Sequence, residues 1–271
     1  MPFLDLTGAR LYYETAGESS NPALVLIHAG VASLRMWDPQ VDALAEKHYV
    51  VRFDTRGYGL TESDDVLFSN RSDLIALLDE LGIERATLIG ASRGGSIAID
   101  TALEFPSRVA RLVAIGSGPS GHPEVELTDR EEELFTELDT VEESGDWEKL
   151  FRLEAQLWDF GPLRSADDLD PLFVVKAYEL NLANLARVEE SPVPIPLDPP
   201  AYGRLDELTI PTLFAVGSFD IGPAIAQYEY LLATVPGASG LRYTDAAHLP
   251  SVEHPERFTD DLLYWLSLKD A

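Results

Sequence analysis

The segment Gly90-Ala91-Ser92-Arg93-Gly94 is the clearest candidate for chemistry, because it lies between a predicted strand and a predicted helix. A serine on so tight a turn needs neighbours without side chains two positions away on either side, and Gly90 and Gly94 meet that need. The N-terminal end of the helix would stabilise negative charge that develops beside the serine. We therefore predict that Ser92 is a nucleophile, although it could also be a simple helix cap.

A serine hydroxyl becomes a good nucleophile only when a base takes its proton, so the chain must also supply a histidine and an acid. On a strand–turn–helix scaffold of this kind, both should follow later strands in the order Ser, acid, His. Asp220 follows the predicted strand 212–216, and His248 follows the predicted strand 241–244. The sequence thus predicts Ser92, Asp220 and His248 as catalytic residues.

Three other residues stay open as alternatives for the base or the acid. His254 is a possible base, but the Pro255-Glu256 pair beside it is typical of a helix start. Asp245 is on the same loop as His248, and Asp206 precedes a predicted strand instead of following it. These placements favour Asp220 and His248.

A tetrahedral intermediate also needs two N–H donors for its negatively charged oxygen. The first expected donor is the backbone N–H of Arg93, directly after the serine. The second should come from the loop His28-Ala29-Gly30-Val31, which leaves the predicted strand 23–27. We predict Gly30 as this donor, with Val31 as the second choice, and we expect His28 to fix the loop.

The elements that must position these residues alternate between short apolar runs and helical patterns. Residues 23–27 and 86–90 are apolar throughout, as in strands that are buried on both faces, and 94–105 is a helix that ends before Pro106. Such alternation predicts an α/β fold with a mostly parallel central sheet flanked by helices. Residues 3–14 predict an antiparallel hairpin at its edge.

The alternation stops between residues 122 and 205, where no convincing strand is found. Thr128 and Glu131 predict a capping-box helix start, and further helical patterns follow. We therefore expect an α/β core (1–121 and 206–271) interrupted by a helical lid (122–205), which returns through an extended proline-rich linker (191–200). The residues expected to contact a substrate are Val31, Trp147, Phe151 and Trp158.

The composition narrows the possible partners. The 271 residues contain 47 acidic and 20 basic residues, for a net charge of −27, which disfavours nucleic acids and anionic membrane surfaces. No apolar run approaches the roughly 20 residues of a spanning helix. The absence of cysteine excludes disulfides, a thiolate nucleophile and cysteine-based metal sites. The N-terminal residues do not resemble a signal peptide, so we expect a cytoplasmic protein, and we expect a monomer or homodimer.

Taken together, these motifs resemble the α/β-hydrolase superfamily, in its lidded branch of bacterial serine esterases and lactonases. The similarity covers nearly the whole chain outside 122–205, and the motifs occur in the family's order. The matching segments are His28-Ala29-Gly30, Asp54-Thr55-Arg56-Gly57-Tyr58-Gly59, Gly90 to Gly95, Val216-Gly217-Ser218-Phe219-Asp220 and Ala247-His248-Leu249-Pro250.

The resemblance implies the α/β-hydrolase fold and a triad of Ser92, Asp220 and His248. The sequence departs from the family pattern at Ala29, where glycine is usual, and at Arg93, where Met or Gln is common. A charge at position 93 would be unusual beside the site. We therefore expect the Arg93 side chain to have a carboxylate partner.

Ser, His and Asp in these roles predict acyl transfer without a cofactor or a metal. The expected reaction is hydrolysis of a small or medium hydrophobic carboxylic ester or lactone through an acyl-enzyme. The alternatives are hydrolysis of a carbon–carbon bond or peracid formation, as in cofactor-free haloperoxidases, on the same triad. A further alternative is a small-molecule receptor with slow turnover.

Overall fold

The computed structural model describes residues 2–268, and its strands and helices alternate as the sequence predicts. The strands are β1 (Phe3–Leu6), β2 (Ala9–Ala16), β3 (Ala23–Ile27), β4 (Tyr49–Phe53), β5 (Glu62–Ser63), β6 (Leu67–Phe68), β7 (Ala86–Ala91), β8 (Val109–Ile115), β9 (Val193–Pro194), β10 (Thr212–Gly217) and β11 (Ser239–Tyr243). The helices are α1 (Asp38–Ala45), α2 (Asn70–Glu80), α3 (Arg93–Glu104), α4 (Asp129–Ser144), α5 (Trp147–Ala155), α6 (Pro171–Leu182), α7 (Gly222–Thr234), α8 (Pro250–Glu253) and α9 (Pro255–Ser267).

The central sheet has the order β1-β2-β4-β3-β7-β8-β10-β11, with β5 beside β2. Strands β4 to β11 along this order are parallel, whereas β1 and β2 form the predicted antiparallel hairpin and join β4 at the edge. This confirms the α/β-hydrolase fold. The carboxyl ends of β3, β7, β10 and β11 lie at one edge of the sheet, and all the candidate catalytic residues follow these ends.

Strand β3 shows why the sheet is covered on both faces. All five of its residues are buried. Val25 and Ile27 belong to the apolar cluster that contains α2, α3 and α7, while Leu24 and Leu26 belong to the cluster of α1 and α9. Full burial of each such side chain stabilises the fold by roughly 1.5–3 kcal/mol. Within residues 2–268, no helix has the length and apolar character needed to cross a bilayer.

Helices α4, α5 and α6 lie between β8 and β10 in the chain, and residues 122–205, predicted to be an insertion, are called the insertion below. The predicted capping box at its start is confirmed, because the Glu131 carboxylate accepts the Thr128 N–H at 2.7 Å. The other oxygen of this buried carboxylate accepts the Gly222 N–H at 2.6 Å. Glu131 thereby connects the insertion to the start of α7, two residues after Asp220.

The expectation of no strand in the insertion is wrong at Val193–Pro194, which forms β9 and pairs in parallel with β6. The N–H groups of Val193 and Ile195 donate to carbonyl groups on the β6 side, so Pro194, which lies between them, needs no donor. Arg71 also donates to the Ile195 carbonyl at 3.1 Å. A pairing this short leaves no periodic pattern in the sequence, which explains why it was missed.

Candidate active site

Ser92 occupies a sharp turn between β7 and α3. Its φ of 52° and ψ of −123° make it the one non-glycine residue of the described chain with a positive φ. The turn is crowded, because a Cβ on Gly90 would overlap the Gly94 carbonyl, and a Cβ on Gly94 would overlap the carbonyl oxygens of Ile27 and His28. The two glycines therefore allow the tight turn at Ser92, as the sequence predicted on steric grounds, and Gly94 also allows the start of α3 to contact the end of β3. Backbone strain of this kind is frequent at functional sites.

His248 and Asp220 are brought together by the loops that follow β11 and β10. The Asp220 carboxylate accepts the His248 Nδ1–H, with distances of 3.0 Å to Oδ1 and 2.9 Å to Oδ2, and both side chains are buried. Asp220 Oδ1 also accepts the Ile221 N–H at 2.8 Å. These contacts hold the imidazole in the tautomer that leaves Nε2 without a proton.

His248 Nε2 has no hydrogen-bond partner in the described part of the chain, although it is buried. His248 lines a cavity of about 330 Å³ that Ser92 and Arg93 also line. A buried, unpaired nitrogen costs free energy, and in a native protein such a group calls for an explanation, of which a catalytic role is one. The arrangement has the parts needed for proton transfer from a serine hydroxyl to an imidazole.

Two aromatic side chains of the insertion, Phe135 and Trp158, line the same cavity. Ile221, Pro223 and Gln227, at the start of α7 and within it, also line it. The Trp158 ring lies 4.8 Å from the His248 ring, between centroids, and belongs to a π-helical turn that directly follows α5. Such turns are frequent at functional sites. The pocket suits a hydrophobic group that carries a carbonyl.

Gly30 lines a second, smaller cavity of about 150 Å³. Phe151 and Tyr58 also line it, together with Glu154 and Asn181 of the insertion. Asn181 Nδ2 donates to the Glu154 carboxylate at 2.7 Å, and burial raises the pKa of Glu154. Sequence reasoning missed Glu154 and Asn181, because only the packing of α5 against α6 brings them together.

The other two residues expected to contact a substrate lie elsewhere. Val31 is buried in the apolar core, and Trp147 packs against the apolar cluster inside the insertion. Neither lines the two cavities described. We therefore propose no substrate contact for them.

The rival catalytic candidates lie away from this arrangement. His254 Nε2 is 3.6 Å from the half-exposed carboxylate of Asp245, which also accepts a hydrogen bond from Arg257 at 2.9 Å. Asp206 lies in a short 3-10 turn before β10, as its sequence position implied. Of the three candidate acids, the structure brings only Asp220 to His248.

His28 fixes the loop that carries Gly30, as the sequence suggested. Its Nδ1 donates to the Ala29 carbonyl at 2.7 Å, and its Nε2 accepts the Thr55 N–H at 3.0 Å. Burial, followed by the charge of Arg93, lowers the pKa of His28 to about 3, so the ring is neutral. The Ala29 side chain is fully buried.

The prediction that Arg93 has a carboxylate partner is wrong for the part of the chain that the structure describes. Arg93 Nη1 donates to Thr55 Oγ1 at 2.6 Å and Nη2 donates to Asn70 Oδ1 at 3.3 Å, while the guanidinium carbon lies 4.7 Å from the centroid of the Tyr58 ring. Burial lowers the pKa of this guanidinium. The partners are therefore neutral groups of the 54–59 turn and of the start of α2.

A buried carboxylate at Asp159 is a further feature that no sequence pattern indicated. Both of its oxygens lack hydrogen-bond partners in the described chain, and it follows Trp158 directly. Burial first, and then the neighbouring carboxylates of Glu253, Glu154 and Asp220, raise the pKa of Asp159 well above its usual range.

Comparison with known proteins shows the family to which this chain belongs. A family model described as the alpha/beta hydrolase fold matches residues 22–255. The chain is 27% identical to 3-oxoadipate enol-lactonase 2 of Acinetobacter baylyi over 92% of this chain and 90% of the relative. It is 31% identical to a 2-hydroxy-6-oxononadienedioate/2-hydroxy-6-oxononatrienedioate hydrolase of Paraburkholderia phymatum over 96% of this chain and 92% of the relative.

Solved structures show the same fold. A thermophilic esterase from Thermogutta terrifontis superposes with a TM-score of 0.76 at 23% identity, over 98% of each chain. At this level of identity the likeness concerns the fold, whereas the family model and the curated relatives cover most of the sequence. The chain therefore belongs to the alpha/beta hydrolase family.

Proposed function

We propose that this protein is a serine hydrolase that cleaves a small or medium hydrophobic carboxylic ester or lactone through an acyl-enzyme. The observation that carries the proposal is the unpaired Nε2 of His248 on the cavity that Ser92 lines, with Asp220 at its Nδ1. The lactonase relative supports a carbonyl substrate. No cofactor takes part in the proposed reaction.

In the proposed reaction His248 Nε2 takes the proton of the Ser92 hydroxyl as its oxygen attacks the carbonyl carbon. Asp220 stabilises the imidazolium that forms. The Arg93 N–H donates to the tetrahedral oxygen, because the first N–H groups of a helix have no intrahelical acceptor. The Gly30 N–H, on the loop after β3, is assigned as the second donor. His248 then protonates the leaving oxygen, and a water that it activates releases the acid.

The apolar side chains around the first cavity support a hydrophobic substrate. Trp158 lies on that cavity and Phe151 lies on the second one, so we assign both to substrate contact. We also propose that the insertion 122–205, with its return linker 191–200, is a lid over the core 1–121 and 206–271. Its acidic character disfavours polyanionic substrates. A cytoplasmic location and a monomeric or homodimeric state stay predictions.

Hydrolysis of a carbon–carbon bond is the second candidate, because of the Paraburkholderia phymatum relative. The compound in that relative's name has an uninterrupted carbon chain with no ester or lactone linkage, so its hydrolysis breaks a carbon–carbon bond. The same triad could serve this reaction.

A panel of p-nitrophenyl esters, lactones and a vinylogous diketone tests these proposals. We expect turnover of short and medium esters or lactones that is lost in Ser92→Ala and His248→Ala, with His254→Ala as the matched control that keeps activity. Turnover of the diketone alone would favour the second candidate. Binding without turnover, unchanged by Ser92→Ala, would contradict both and favour a receptor.

A further inference from the structure

Arg93 is a partly buried cation that lacks a carboxylate partner within the described chain, even though acidic residues outnumber basic ones more than twofold. Arg56 is more deeply buried, and its Nε lies 2.7 Å from the Asp73 carboxylate. A buried charge without a counter-ion is costly unless hydrogen bonds hold it. The groups that hold Arg93 therefore indicate what its side chain does.

The hydrogen bonds of Arg93 continue to the loop that carries Gly30. Arg93 Nη1 donates to Thr55 Oγ1 at 2.6 Å, and the Thr55 hydroxyl donates to His28 Nε2 at 3.1 Å. His28 Nδ1 then donates to the Ala29 carbonyl at 2.7 Å. This chain of contacts joins the residue after Ser92 to the residue before Gly30.

The charge of Arg93 also favours the form of His28 that these contacts require. The Nδ1–H donates while Nε2 accepts from Thr55, so the ring must be neutral and must carry its proton on Nδ1. Burial and the nearby guanidinium lower the pKa of His28 to about 3. The neutral tautomer is thereby kept over the ordinary pH range.

Tyr58 provides a second connection between the same two segments. Its ring lies 4.7 Å below the Arg93 guanidinium carbon and 5.1 Å from the His28 ring, between centroids. A Cβ built on Gly30 would lie 3.6 Å from the Tyr58 hydroxyl, so the far end of this ring borders the loop itself. The cation, the ring and the loop thus form one packed unit.

We propose that Arg93 is a positioning residue whose side chain, acting through Thr55, His28 and Tyr58, fixes the Gly30 loop relative to the turn that holds Ser92. The inference rests on the proposed function, because it concerns the two donors assigned to the tetrahedral oxygen. One donor is the backbone N–H of Arg93, and the other is on the loop that its side chain holds. Small errors in such donor positions cost large factors in rate.

Arg93→Met tests this role, because it keeps the backbone N–H and the length of the side chain but removes the contact with Thr55. We expect kcat for a p-nitrophenyl ester to fall about 10- to 100-fold, with KM changed less than about threefold. Binding of a trifluoromethyl ketone, whose adduct carries the tetrahedral oxygen, should weaken by a similar factor. Arg93→Lys should restore part of the rate.

Thr55→Val should lower kcat in the same way, and combining it with Arg93→Met should add little, because both variants break one chain of hydrogen bonds. Arg71→Met is the matched control. Arg71 is also buried, pairs with Glu104 and lines neither of the two cavities. This control should lower the melting temperature and leave kcat within about twofold of the wild type.

Two results would overturn the inference alone. The first is a wild-type enzyme whose turnover is abolished by Ser92→Ala, while the kcat of Arg93→Met stays within threefold of the wild-type value. The second is a fall in kcat for Arg93→Met that Arg71→Met shows as well, when both variants lower the melting temperature by the same amount. A wild-type protein that hydrolyses none of the panel would instead overturn the proposed function, and this inference with it.

Discussion

The Trp158 ring covers the His248 imidazole, with 4.8 Å between the ring centroids and an angle of 43° between the planes. The Trp158 carbonyl also accepts the His248 N–H at 3.4 Å. A residue of the insertion therefore contacts the candidate base through both its side chain and its backbone. We propose that this contact couples the position of the insertion to the orientation of the base.

Replacement of Trp158 tests this coupling. Trp158→Ala should raise KM for hydrophobic esters and lower kcat, about 10-fold in each case, because it removes both a wall of the cavity and the packing surface of the imidazole. Trp158→Phe keeps a flat ring and should keep most of the activity. Steady-state kinetics with a hexanoate ester separates the two effects, and equal activity of the Ala and Phe variants would rule out the coupling.

Asp220→Asn tests the assignment of the acid. The amide cannot stabilise an imidazolium and favours the wrong tautomer of His248, so kcat should fall about 10³- to 10⁴-fold. The matched control is Asp245→Asn, which removes the partner of Arg257 and His254 on the surface and should leave kcat unchanged. A larger loss in the control than in Asp220→Asn would reverse the assignment.

Gly94→Ala tests the steric account of the turn. The added Cβ would overlap the carbonyl oxygens of Ile27 and His28, so α3 must shift away from β3. We expect a loss of about 1–3 kcal/mol in the free energy of unfolding, together with loss of turnover. Gly203→Ala is the control, because open space surrounds that position. Denaturant titration of both variants measures the difference, and equal stability would refute the account.

Asp159→Asn tests the consequence of a buried, unpaired carboxylate. Its pKa is raised in the folded state, so between the unfolded value of about 3.9 and the folded value the native protein binds more protons than the unfolded one. Wild-type stability is therefore lost as pH rises through this window, by about 1.4 kcal/mol per pH unit. The amide does not titrate, so the variant should gain stability relative to the wild type as pH rises from 4.

Chemical denaturation of both proteins from pH 4 to 8 checks this expectation. Asp167→Asn, on the exposed surface of the same insertion, is the matched control for the replacement of a carboxylate by an amide. If the difference in the free energy of unfolding between Asp159→Asn and the wild type stays constant or becomes smaller as pH rises, Asp159 does not have the raised pKa.

The strands of the central sheet and the turn at Ser92 could be predicted from the sequence, because both depend on local patterns. A short run of apolar residues such as 23–27 predicts a buried strand. Glycines at 90 and 94 with a serine between them predict a sharp turn of the backbone. The placement of Asp220 and His248 after later strands was predicted from the known order of acid and base on this type of scaffold. These features need no knowledge of side-chain packing.

Contacts between distant segments could not be predicted in the same way. Arg93 meets Thr55 across 38 positions, and a charged side chain on its own suggests a carboxylate partner, not a hydroxyl and a tyrosine ring. The pairing of β9 with β6 involves two residues in each strand. Asp159 is buried by the way the π-helical turn packs, which periodicity does not encode.

The most direct test of the central claim is labelling with a fluorophosphonate, followed by peptide mapping of the adduct by mass spectrometry. The account predicts a single covalent adduct on Ser92, formed rapidly in the wild type and far more slowly in His248→Ala at the same pH. An adduct on another residue, or labelling of Ser92 at an equal rate without His248, would contradict it.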